Sequence, residues 1–160
     1  MAGGNRRLAI DKILFTMAFG RDVDYHDVVP QLTYLDRHTG DVIWVYETDD
    51  DAYMEAGIPA DDNRQVRERV AGDPDRYLEI PGLDHGDHHE ILKVFLGSDW
   101  TDDEEQRQNA EVAYFGSIGG WKTSVNDQDA VRTFYDFRDA RVAMLAEEFL
   151  QENGIAPIWR

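Results

Sequence analysis

The stretch QLTYLDRHTGDVIWVYE, Gln31 to Glu47, constrains the fold more than any other part of the chain. Leu32, Tyr34 and Asp36 alternate with Thr33 and Leu35, and Val42, Trp44 and Tyr46 alternate with Ile43 and Val45. Alternation at period two marks strands that pack one face and expose the other. Between the runs, Asp36 to Thr39 suit a type I turn, and Gly40 supplies the positive φ that closes it. The segment therefore predicts a β-hairpin. A third short strand is expected over RYLEI, Arg76 to Ile80, where Pro81 stops it. Together they make a small antiparallel three-stranded sheet.

The remaining segments read as helices. Ile10, Ile13, Leu14, Met17 and Ala18 recur at helical spacing, so a first helix with one buried stripe is expected from Leu8 to Phe19, ended by Gly20. The acidic segments RDVDYHDVVP and TDDDAYMEAGIPADD read as connections, the second a solvated loop, with a short exposed helix over NRQVRERVAG. Asp84 to Leu96 forms a helix on the stripe Ile91, Leu92, Phe95 and Leu96. Thr101 and Glu104 form a capping box for the next helix, stopped by Gly116. SIGGWKTSV supplies a turn and about one helical turn. A long final helix starts at an Asn126 cap, with Asp129 at its third position, and stops at Gly154. Its stripe is Val131, Phe134, Tyr135, Val142, Leu145, Ala146 and Phe149. The expected class is α+β, with helices packed mainly on one face of the sheet, in a single domain over residues 1–160 whose core spans about 8–155.

The chain of 160 residues carries a net charge of −17. Such a field repels nucleic-acid phosphates and anionic lipid, and no basic patch interrupts it. Aspartate outnumbers glutamate two to one, and lysine stands only at Lys12, Lys93 and Lys122 against thirteen arginines. The bias is dispersed, which fits adaptation to a salty solvent better than one designed interface. With no cysteine, disulfides, thiolate metal sites and cysteine nucleophiles are excluded. No apolar run is long enough to span a membrane, and the N-terminal run is broken by Asp11 and Lys12, so it reads as a helix and not an address. The expected compartment is the cytoplasm.

PGLDHGDHHEIL, Pro81 to Leu92, is the one cluster that invites a chemical reading. His85 and His89 stand four apart and can face one ion, and Asp84 can add an oxygen. The spacing lacks the intervening acid of H-E-x-x-H. A helix start explains the same residues: Asp84 caps it, Asp87 completes an acidic capping box, and both favour the positive end of the helix dipole. His88 then joins the edge of the apolar stripe, with His85 and His89 nearer solvent. Ser98, Ser117 and Ser124 occupy no nucleophile elbow. Asp49 to Asp51 lack the spacing of a calcium loop. Gly119, Gly120, Trp121 and Lys122 read either as a contact loop with an aromatic and a cationic anchor, or as a turn with Trp121 in the core. Arg138 lies among the apolar residues of the long helix and needs a partner, for which Asp36 and Glu79 are candidates.

The hairpin YLDRHTGDVIWV, the strand end RYLEIP, the helix HEILKVFL, the segment FGSIGGWKTSV and the helix end EEFLQENGI follow one another in an order that resembles the uncharacterised bacterial protein family number 0158 of the UPF series. The resemblance runs from about Leu8 to Ile155 and rests on the order of all five motifs. It departs where members read arginine–aromatic–lysine, since only Lys122 of that basic pair stands here. It implies the fold and a bacterial or archaeal origin, and no activity. The residues themselves favour a non-enzymatic acidic protein that binds another macromolecule, a basic protein being the natural partner, with Trp121 and Lys122 as contacts. No cofactor is expected under that reading, and no direct contact with nucleic acid or membrane. One alternative is a metal-dependent hydrolase built on His85, His88 and His89 with a divalent metal. Another is a small-molecule sensor with a pocket between the sheet and the long helix.

Overall fold

The computed structural model describes residues 5–20, 31–46, 60–114, 121–122, 125 and 127–160. Its elements in order are β1 (Arg6–Ile10), α1 (Lys12–Gly20), β2 (Gln31–Asp36), β3 (Val42–Tyr46), α2 (Ala60–Gly72), β4 (Tyr77–Ile80), α3 (His85–Leu96), α4 (Glu104–Tyr114), α5 (Gln128–Glu152) and β5 (Ile155–Trp159). The class is α+β. The hairpin and third strand form an antiparallel sheet in the order β3-β2-β4, with Leu35 opposite Val42 on one side and Leu78 on the other. The connections over residues 21–30 and 48–59 lie outside the described residues.

The chain divides into two compact units, Met1–Gly82 with Ala146–Arg160, and Leu83–Leu145. In the first, the hairpin turn is set by Asp36. Its carboxylate accepts from the backbone N–H of His38 (2.8 Å) and Thr39 (3.3 Å), and the Gly40 N–H donates to the Asp36 carbonyl (2.8 Å). Gly40 has φ +82°, and a Cβ there would stand 1.8 Å from the Ala9 carbonyl oxygen, so the turn abuts β1. Arg76 grips the same carboxylate through Nε (3.0 Å) and Nη2 (2.9 Å). Burial alone pushes the Asp36 carboxyl up, but the Arg76 and backbone donors outweigh it and hold the pKa at about 2. Asp36 is therefore the partner of Arg76. Arg138 lies over the Tyr135 ring, 4.8 Å from its centre, with its Nε 3.8 Å from Asp139.

Two further features of this unit depart from expectation. Leu8 to Ile10 belong to strand β1 and not to the first helix. β1 pairs in parallel with β5, Arg6 opposite Ile155 and Ile10 opposite Trp159, in a second, two-stranded sheet. The helix begins after Asp11, whose carboxylate accepts the Leu14 N–H (2.9 Å) as an N-cap does. Its buried face is consequently Phe15, Ala18 and Phe19, with Phe15 against Trp159 and Phe19 against Phe149. At the far edge of the hairpin, the buried Asn63 of α2 stands in for a neighbouring strand. Its amide accepts the Tyr46 N–H (2.9 Å) and donates to the Tyr46 carbonyl (3.2 Å).

The second unit is organised around aromatic rings. Phe95 sits at the centre, with Trp100, Trp121, Phe134 and Phe137 at ring separations of 5.4 to 5.8 Å. The pairs with Trp121 and Phe134 are edge-to-face, and such pairs add about 0.5–1.5 kcal/mol each beyond the area they bury. Helix starts here are set by acids. Asp103, not Thr101, caps α4 through the N–H groups of Glu105 and Gln106, while Thr101 accepts the Asp103 N–H and bonds Gln106. Asp127 caps α5 through the N–H groups of Asp129 and Ala130; the expected cap, Asn126, lies outside the described residues. Within this unit the buried line of α5 is Ala130, Phe134 and Val142, with Val131, Tyr135 and Leu145 half-buried beside it; Ala146 and Leu150, also buried, and the half-buried Phe149 belong to the first unit. No helix among the described residues is long and apolar enough to cross a membrane.

Candidate functional site

The histidine cluster resolves into a helix start. Asp84 is the N-cap of α3: its Oδ1 accepts the Asp87 N–H (2.7 Å), and Asp87 Oδ2 accepts the Asp84 N–H (3.0 Å). Each carboxylate thus gives one oxygen to the first turn, where the helix dipole favours both acids. His88 is 1 % exposed, deeper than the edge of the stripe, and is followed by the buried Ile91, Leu92, Phe95 and Leu96. His89 is half-buried. The side chain of His85 lies outside the described residues, so a meeting of His85, His89 and Asp84 is not among the contacts seen. Among the described residues no three histidine, aspartate or glutamate side chains come together to hold a metal ion.

Trp121 and Lys122 separate. Trp121 is 0 % exposed and packs edge-on against Phe95, Trp100 and Phe134, so its ring offers no contact surface: a large apolar ring is worth more in the core than at a loop tip. Lys122, next in sequence, turns outward to a cavity of about 490 Å³ against the first turns of α5. The cavity is lined by Lys122, Asp127, Gln128, Val131, Arg132 and Tyr135. Lys122 Nζ donates to the Tyr135 hydroxyl (2.7 Å) and lies 5.2 Å from the ring centre. The hydroxyl itself stands well off the ring centre, so the ammonium sits near the hydroxyl end and not over the face. The face is covered instead by Arg138. Asp127 is held ionised, its pKa lowered first by the Gln106 side-chain amide and then by the N–H of Ala130.

A third surface is one that sequence periodicity assigns to the core. Ile13, Leu14 and Met17 are exposed by 71, 41 and 63 %. They occupy the side of α1 opposite Phe15, Ala18 and Phe19, so this helix is apolar on both faces. The spacing of Ile13, Leu14 and Met17 fits a buried stripe as well as the true one does; the presence of phenylalanines at 15 and 19 was the signal for the larger buried face. Arg132 and Gln128 carried no sequence signal at all, being polar residues on an expected solvent face. The chain finds no match among models of protein families, curated proteins or solved structures.

Proposed function

We propose that this protein acts without catalysis, by binding another macromolecule, and that the partner is a basic protein docked on the outer face of α1. The exposure of Ile13, Leu14 and Met17 carries this reading. A helix apolar all round belongs in an interior, and a cluster of large apolar side chains left in water marks an interaction surface. The chain's charge of −17 selects the partner's sign. It draws a cationic protein in from solution and repels nucleic acid. A second copy would bring an equal negative charge, so the face is poorly suited to self-association.

The test is site-directed crosslinking followed by reconstitution. A photo-reactive residue at Met17 should trap a protein with an isoelectric point above about 8, by the sign of the field, and the same residue at the exposed Asp75 should not. The trapped protein, purified, should bind the native chain and lose at least about tenfold in affinity on Ile13→Glu, in line with one interface anchor. Adducts that are equal at both positions, acidic, or composed of two copies of this chain would overturn the proposal. So would a purified protein indifferent to Ile13→Glu.

A further inference from the structure

We infer that the cavity against the first turns of α5 is a binding site for a small oxyanion, a metabolite bearing a carboxylate or phosphate group. The inference is independent of the α1 surface. The size, about 490 Å³, falls within the usual range for small-molecule sites of roughly 300–1,000 Å³. What distinguishes the cavity is its lining. In a chain with 33 acids against 16 lysines and arginines, two cations and two neutral donors, Lys122, Arg132, Gln128 and Tyr135, gather around one hollow.

The chemistry of each group points inward to an acceptor. The Tyr135 oxygen already accepts from Lys122, so its own proton is the one left to give. Arg138 lies over the face of the same ring, 4.8 Å from its centre, and adds positive charge close to the hydroxyl. Lys122 is half-buried, a position in which a cation interacts strongly with an arriving charge. Arg132 is 74 % exposed and touches Asp129 only at 3.9 Å; a surface pair this loose is worth little and leaves the guanidinium ready to turn onto an anion. Among the described residues Asp127 is the carboxylate of the lining and would oppose an anion, but its oxygens are occupied by three N–H donors from Gln106, Asp129 and Ala130. Its charge is thus countered at the helix start. Val131 gives the lining one apolar side chain.

The experiment is calorimetric titration of the full chain at fixed ionic strength in a buffer free of both anions. The probes are inorganic phosphate, citrate and uncharged glycerol. Phosphate or citrate should bind saturably with one site per chain, and Lys122→Met and Arg132→Glu should each weaken that binding at least tenfold. Arg132 is exposed, so its variant should keep the native melting temperature without ligand and separates loss of binding from loss of fold. Tighter binding of phosphate would identify a phosphorylated ligand, and tighter binding of citrate a carboxylate. The inference is overturned if neither anion saturates, if glycerol binds as well, or if Arg132→Glu binds like the native chain.

Discussion

Asp36 allows a quantitative test of how this fold is held. Its side chain is 6 % exposed, and its carboxylate receives two donors from Arg76 and two from the turn backbone. The pKa falls from 3.8 to about 2. A drop of nearly two units corresponds to about 2.5 kcal/mol of stability that the ionised form contributes. The sign follows from the direction: a depressed folded pKa stabilises above the unfolded value and loses that contribution as pH falls from about 4 through about 2. Asp36→Asn keeps the shape but cannot take both Arg76 donors. Urea unfolding of the native chain and of Asp36→Asn should therefore differ by about 2–3 kcal/mol at pH 6, and by progressively less as pH drops below 4. Taking the difference removes the many other acids, whose titration affects both proteins alike. A gap that stays constant from pH 6 to pH 2.5, or one below about 0.5 kcal/mol at pH 6, the scale of an ordinary surface substitution, would refute the reasoning.

Gly40→Ala should cost well over about 2 kcal/mol, since strain at positive φ is joined by collision with the Ala9 carbonyl; Gly154→Ala, equally strained but with nothing near, should cost only about 1 kcal/mol. Thermal melts of the pair separate the two effects. Asn63→Ala strands the buried N–H and C=O of Tyr46 and should lose about 2–3 kcal/mol in denaturant unfolding. Asn63→Asp should be no better, because it cannot donate to the Tyr46 carbonyl. Truncation after Asn153 removes β5 and the Trp159 contact to Phe15, and should abolish cooperative unfolding of β1 and α1 as followed by amide exchange.

What sequence discloses about this protein is what is local. The hairpin was legible because Asp36, Gly40 and two alternating runs all sit within one short segment and agree. The α3 cap was legible for the same reason: Asp84 and Asp87 bond each other's backbone. The β1–β5 pair was not, because nothing near Arg6 reports on Ile155, and Pro157 in β5 argues against a strand at all. Once Leu8 and Ile10 are taken into β1, the helical register that began with Ile10 loses its first member and the buried face moves to Phe15 and Phe19. The helix caps at Asp103 and Asp127 were displaced because several acids and hydroxyls compete at each start, and only the backbone geometry chooses between them. The cavity at Lys122 was half visible: the lysine was singled out, while Tyr135 looked like one more stripe residue.

The pairing of β1 with β5 also bears on how the chain comes to its final form. β1 precedes the other described elements in the chain, and its only strand partner among the described residues follows all of them. Until then Leu8 and Ile10 lie on an unpaired edge, and Phe15 lacks the Trp159 ring. An open apolar edge invites wrong pairing, and contacts this distant in sequence close slowly. A growing chain must keep that edge solitary until β5 has been made, and its abundant acids, mutually repelling, are well suited to holding neighbouring nascent chains apart.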